Sequence, residues 1–251
     1  MRLTIVGCSG SFPGPDSAAS CYLLEADHEG RTWRVLLDLG SGALGALQRH
    51  VDPLAVDAVF LSHLHADHCL DLCGYHVLRR YHPDGPQPRV PVWGPAGTAE
   101  RMARAYDLPP DPGMCEEFDF REYDEVIELG PFRVEAIGVE HPVPAYGLRV
   151  SADGVTLGYS GDTAPCEGFE TVARDVDLLL AEASFHTLVE NPPGIHLTGA
   201  DCGETAARAG ARRLLLTHVP PWHDPQQSLV EARAAYDGPV DLARAGDVHL
   251  V

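Results

Sequence analysis

Short apolar runs alternate with amphipathic stretches along the chain, and the alternation predicts an α/β fold. Arg2–Gly7, Ser20–Ala26 and Trp33–Leu39 read as successive strands, followed by a helix over Ser41–His50 and a strand over Asp57–Ser62. Cys69–His82 carries apolar residues at helical spacing (Leu70, Cys73, Val77, Leu78) and leads into a Pro/Gly loop from Pro83 to Arg89. Phe132–Glu140, Ala145–Val150 and Val155–Ser160 read as strands. Asp177–Ala183 and Arg213–His218 hold apolar runs of the length expected for strands buried on both faces. Thr198–Ala209 is a helix opened by a capping box, Thr198 to Asp201. No linker, low-complexity tract or short repeat divides the 251 residues, so one domain over residues 1–251 is expected. Residues of chemical interest fall at strand ends in both halves, which places a site along one edge of a two-sheet sandwich with helices outside.

Composition narrows the class. An apolar share of 45% and a mean hydropathy of −0.10 belong to a globular chain, and no stretch approaches the roughly 20 apolar residues that span a bilayer. Met1–Gly7 is broken by glycine too soon for an export signal, so a cytoplasmic protein without a membrane partner is expected. Seven cysteines, with no CxxC pair, read as reduced thiols, and Cys69 as a small buried residue at a helix start. The formal charge is −19 and all eighteen basic residues are Arg. Such a surface repels polyanions at long range, and the only basic clusters are the doublets Arg79-Arg80 and Arg212-Arg213, so extended nucleic acid is a poor partner.

The chemistry concentrates in Ser62-His63-Leu64-His65-Ala66-Asp67-His68, four candidate ligands within six residues directly after a strand. In an extended turn His63 and His65 can face one metal, while Asp67 and His68 swing round with the entering helix to face a second. Imidazole and carboxylate suit zinc and similar borderline cations. Three further candidates close strands: His141 after Phe132–Glu140, Asp162 after Tyr159-Ser160-Gly161, and His218 after Leu214–Thr217. Singly each has a bland reading as a polar strand terminus or turn. Together they form a set.

That set, from Leu3 to His218, resembles the metallo-β-lactamase superfamily. The resemblance implies a four-layer αββα sandwich in which His63, His65 and His141 bind a first metal, Asp67, His68 and His218 bind a second, and Asp162 bridges the two. Zinc is the first expectation, with manganese or iron admitted by an N/O site. The β-lactamases themselves lack the bridging Asp or place Cys near it, and the oxygen-reducing diiron branch replaces the second His of the motif with Glu. Hydrolysis at a dinuclear centre is therefore the implied chemistry.

Two further segments resemble the ribonuclease Z branch, which processes tRNA 3′ ends: Ala181-Glu182-Ala183-Ser184-Phe185 and Gly194-Ile195-His196-Leu197-Thr198. By that resemblance His196 protonates or stabilises the leaving group and Glu182 orients its ring. Two divalent ions sharing a water lower its pKa towards neutrality and present hydroxide to phosphorus, with Asp67 holding it in line. The chain departs from the tRNA enzymes in two respects. Their long tRNA-gripping arm is often inserted between the residues equivalent to His141 and Asp162, an interval of 20 residues here, and the loop Gly10–Ser20 has no basic residue. The chain is more similar to compact bacterial relatives that hydrolyse cyclic nucleotides, through Gly7-Cys8-Ser9-Gly10-Ser11 and Leu216-Thr217-His218-Val219-Pro220-Pro221-Trp222. A phosphodiesterase acting on a small cyclic nucleotide is thus the leading expectation. The alternatives are a tRNA 3′-processing endonuclease that compensates for the arm by dimerising, a hydrolase of thioesters, lactones or sulfate esters, and a non-catalytic metal-binding protein. A homodimer is left open.

Overall fold

Strands covered on both faces need apolar residues at nearly every position, and the chain supplies such runs in each half. The computed structural model describes residues 1–124 and 126–251. One sheet is built from β1 (Arg2–Ser9), β2 (Ala18–Ala19), β3 (Cys21–His28), β4 (Arg31–Leu37), β5 (Ala58–Phe60), β6 (Val90–Gly94) and β7 (Phe118–Glu122). The other holds β8 (Ile127–Leu129), β9 (Phe132–Val139), β10 (Ala145–Ala152), β11 (Val155–Tyr159), β12 (Leu178–Glu182), β13 (Leu214–Thr217) and β14 (Val240–Leu242). The final strand, β15 (Val248–Leu250), crosses back to pair with β1. Strand order is β15-β1-β3-β4-β5-β6-β7 in the first sheet, with β2 beside β1, and β14-β13-β12-β11-β10-β9-β8 in the second.

Side-chain alternation builds three apolar layers. Leu3, Ile5, Tyr22, Leu24, Phe60, Phe132, Leu148 and Leu180 meet between the sheets. On the other face of the first sheet, Leu23, Leu36 and Val59 pack against α1 (Ala43–Leu47), α3 (Leu72–Arg80) and α4 (Thr98–Ala105). On the outer face of the second, Leu179, Ala181 and Leu214 pack against α5 (Glu167–Ala173), α6 (Gly199–Ala209) and α7 (Pro225–Ala235). The result is the expected αββα sandwich. Among the described residues no helix is long and apolar enough to cross a membrane.

Two expected helices differ. The first is confined to Ala43–Leu47, between a left-handed Gly42 and the turn after it. The stretch expected as one helix over Cys69–His82 is divided into α2 (Ala66–Cys69) and α3. Leu39 causes the division: its N–H donates to the His68 carbonyl and its carbonyl accepts from Asp71 N–H, at 2.8 and 3.1 Å. The end of β4 thus takes backbone groups from the helix junction, and α2 becomes a short turn aimed at the sheet edge. The capping box at Thr198 and Asp201 forms as expected. All seven cysteines are unpaired among the described residues.

Candidate metal centre

The strands β4 and β5 run parallel, as do β11, β12 and β13, and the carboxyl ends of both sets meet at one edge of the sandwich. Backbone bonds stitch the sheets there: Tyr146 N–H donates to the Ser62 carbonyl at 2.9 Å, and His218 N–H to that of Cys8 at 3.0 Å. Every residue singled out as a ligand lies at this edge, in the segment just beyond a strand, where side chains are free of the ladder yet held by it.

The seven gather into two groups. His63, His65 and His141 turn one nitrogen each towards a common point, with His63 Nε2 3.0 Å and His141 Nε2 3.2 Å from His65 Nδ1. Asp67, His68, Asp162 and His218 form the second group: His218 Nε2 lies 3.0 Å from His68 Nε2 and 3.1 Å from Asp67 Oδ2. Asp162 faces both. Its Oδ1 is 3.2 Å from His68 Nε2 and 3.5 Å from His218 Nε2, while its Oδ2 is 3.8 Å from His63 Nε2.

Local structure explains the separation. His65 is extended and precedes α2, whereas Asp67 and His68 lie within that turn, so neighbouring residues point to different groups. The turn can approach because position 40 is glycine: a Cβ there would stand 1.8 Å from the Asp67 carbonyl oxygen. His218 sits at a left-handed φ of 56°, a costly conformation for a residue with a side chain and one found at functional sites.

The ring nitrogens facing away from the two groups are anchored. His141 Nδ1 pairs with the Ile195 carbonyl at 2.9 Å, His63 Nδ1 with Ser62 Oγ at 3.0 Å and His218 Nδ1 with Ser184 Oγ at 2.8 Å. Each pairing leaves Nε2 as the inward lone pair, the arrangement that orients metal-binding imidazoles. Burial, reinforced by neighbouring imidazoles, lowers the pKa of His63 and His65, and burial does the same to His141, favouring the neutral form that binds a cation. Burial alone would raise Asp67 and Asp162, but the facing His218 and His68 hold both carboxyls well below their usual range. Burial opposes charge on His68 too, yet Asp162 and Asp38 raise its pKa well above normal. A divalent cation among these groups would take over the positive charge that His68 otherwise supplies.

One atom tests the fit directly. Asp162 Oδ1 is buried without a hydrogen-bond donor. A carboxylate oxygen desolvated in this way is costly unless a cation meets it, and Nε2 of His68 and of His218 face the same oxygen at 3.2 and 3.5 Å. The donor set fits divalent metal.

Asp38 was missed from the sequence although it organises the centre. Fully buried just beyond β4, it accepts Ser62 N–H on Oδ1 at 2.7 Å. Its Oδ2 meets Ser62 Oγ at 2.8 Å, Tyr159 Oη at 2.6 Å and His68 Nδ1 at 2.7 Å. The available signal was a carboxylate interrupting the apolar run Val35-Leu36-Leu37-Asp38-Leu39. Asp38→Asn, which turns an amide N–H₂ towards hydroxyl donors, is expected to weaken divalent-metal affinity by about 10–100-fold with an unchanged far-ultraviolet circular dichroism spectrum. Chelator competition checks this, and unaltered affinity would remove Asp38 from the centre. Cys69, by contrast, serves packing. Burial pushes its thiol up to about 12, and its Sγ donates to the His65 carbonyl.

Beside the second group lies the pair expected from the second half. His196 Nδ1 is 2.8 Å from Glu182 Oε1 and 4.0 Å from Asp162 Oδ2. Glu182 is fully buried, and its two oxygens also accept the N–H groups of Thr163 and Ser184 at 3.0 and 3.1 Å. Burial disfavours charge on His196, but the Glu182 carboxylate outweighs it, helped by Asp162, and raises the imidazole to about 9.

Comparison with known proteins agrees with this geometry. Residues 33–219 match the family described as the beta-lactamase superfamily domain. The chain is 46% identical over 247 residues to the uncharacterized protein Rv1339 of Mycobacterium tuberculosis, covering 96% of this chain and 88% of that one. It is 28% identical over 251 residues to the probable metallo-hydrolase YhfI of Bacillus subtilis, covering 99% of each. The crystal structure of YhfI superposes with a TM-score of 0.85 at 26% identity, over 99% of this chain and 98% of that one. Ribonuclease Z of Myxococcus xanthus is 28% identical over 305 residues, covering 98% of this chain and 96% of its own.

Proposed function

The chain belongs to the β-lactamase superfamily, in its ribonuclease Z-like branch of metallo-hydrolases, and from that footing we propose that it is a phosphodiesterase acting on small cyclic nucleotides. The Glu182–His196 pair carries the reading. It supplies a proton donor beside the metal groups, which phosphodiester cleavage requires when the departing group is a ribose oxygen. We assign His63, His65 and His141 to one metal and Asp67, His68 and His218 to the other, with Asp162 shared. Two divalent ions, zinc first, would supply Lewis acidity and a water acidified towards neutrality.

The chain's own residues do the rest. Asp67 Oδ2 accepts at the inner face of the second group and orients the attacking water. Glu182, itself fixed by two backbone N–H groups, presents the His196 ring so that Nε2 points away from the carboxylate and can deliver a proton to the leaving oxygen. Ser62, Ser184 and Asp38 keep the imidazoles from rotating as charge develops.

Size and charge favour a small substrate. The 20 residues between His141 and Asp162 are taken up by the β10–β11 hairpin, and the Gly10–Ser20 loop offers no side-chain cation to a second phosphate. A net charge of −19 opposes a polyanion at every approach, whereas a cyclic nucleotide meets that field with a single charge. Cyclic AMP or cyclic GMP is therefore expected to be cleaved with a kcat/KM at least roughly tenfold above that of a 3′-extended tRNA at the same salt. Faster cleavage of the tRNA would instead favour an endonuclease with a groove built across a dimer. Turnover confined to a thioester or lactone would move the chain to another branch.

A further inference from the structure

Next to the metal groups is a cavity of about 350 Å³, lined by Leu64, His65, Ala66, Pro95, Ala96, Arg101, Val143 and Pro144. Its volume lies within the roughly 300–1,000 Å³ of small-molecule sites. His65 belongs both to this wall and to the first metal group, so a molecule held by that group adjoins the cavity. The walls are aliphatic, and Pro95 and Pro144 stiffen two of them. The cavity's single cation is Arg101, on α4. Among the described residues the Arg101 guanidinium has no hydrogen-bond or ion-pair partner, and its N–H groups are free for a ligand. Its distinguishing feature is its place: this guanidinium lines an apolar slot that shares His65 with the first metal group.

We propose that this cavity receives the nucleobase of the substrate and that Arg101 selects guanine. The inference rests on the phosphodiesterase reading above. Aliphatic walls suit a flat heterocycle better than a second phosphate, which would call for several donors. A guanidinium presents two parallel N–H groups, and guanine offers two matching acceptors, O6 and N7, on one edge. Adenine pairs its N7 acceptor with an amino donor, which a guanidinium opposes, so a fork of this kind separates the two bases by roughly 5- to 150-fold. Arg101 is a specificity residue in this scheme and takes no part in bond cleavage.

The test is a ratio. Wild-type protein loaded with zinc is expected to hydrolyse cyclic GMP with a kcat/KM about tenfold or more above that for cyclic AMP, and to bind guanosine monophosphate more tightly than adenosine monophosphate by a similar factor. Arg101→Met and Arg101→Lys should both bring the two ratios close to one, because Lys keeps the charge and lacks the fork, while metal content and turnover of bis(p-nitrophenyl) phosphate stay as in wild type. An unchanged ratio in Arg101→Met, or an equal loss for both nucleotides, overturns the assignment and leaves the phosphodiesterase reading standing. Failure of the wild-type protein to hydrolyse either nucleotide overturns both.

Discussion

Asp162→Ala is expected to lower the divalent metal content from two ions per chain to one or none, and hydrolysis by more than about a thousandfold, the scale lost with a principal electrostatic stabiliser. In the proposed assignment the other six residues each face one of the two metal groups, whereas Asp162 turns one oxygen to each. Removing it would take a negative charge from both groups, along with the one carboxylate among the described residues that faces His63 as well as His68 and His218. Asp162 is also fully enclosed, with Oδ1 lacking any donor. The alanine variant therefore leaves a void between His63, His68 and His218, with Asp67 the one carboxylate of the set still facing them, at His68 and His218 only. Asp162→Asn keeps the shape and one carbonyl oxygen, so it should retain more metal than the alanine variant and still lose most activity. Elemental analysis of dialysed protein beside circular dichroism checks both. Two tightly held ions in Asp162→Ala, or one ion per chain in the wild type, would contradict the bridging role.

The sequence was most legible where a residue's type already implies its chemistry. Three histidines and an aspartate within six residues after a strand announce a metal, and strands covered on both faces read as apolar runs because each position is buried by one layer or another. Legibility failed where tertiary contacts decide. Helical spacing runs unbroken through Cys69–His82, yet Leu39, thirty positions earlier, captures the backbone at the junction and splits the segment. The α4 helix buries only Thr98, Met102 and Ala103, and β15 alternates exposed Val248 and Leu250 with His249, so neither displays a run of large core-facing residues. Asp38 escaped notice for a different reason. It lies 25 positions before the His63 motif, and its importance lies wholly in the groups that converge on it. A residue that acts through others leaves no spacing to recognise.

His196→Ala is expected to reduce kcat by about 10²–10⁴-fold on a cyclic nucleotide, with both metals retained, the range lost with a general acid. The expectation follows from position: His196 is not one of the seven proposed ligands, although it also converges with Glu182 and His218, and its Nδ1 stands 4.0 Å from Asp162 and is fixed at 2.8 Å on Glu182. It also follows from charge. Glu182 outweighs the burial penalty and raises the ring to about 9, so at neutral pH it carries the proton that a departing ribose oxygen needs. The acid form is present below that pKa and disappears as pH rises through it. Divalent cations nearby push the imidazole pKa down, so the alkaline limb of kcat should fall at or below about 9 and be absent from His196→Ala. Glu182→Gln removes the charge that raises the ring while keeping a hydrogen-bond acceptor, and it should move the same limb to lower pH. Leaving-group chemistry separates acid catalysis from simple disruption. A p-nitrophenolate departs without a proton, so bis(p-nitrophenyl) phosphate should lose far less rate than a cyclic nucleotide in the same variant. An equal loss on both substrates, or an alkaline limb that persists in His196→Ala, would show that this histidine shapes the site without delivering the proton.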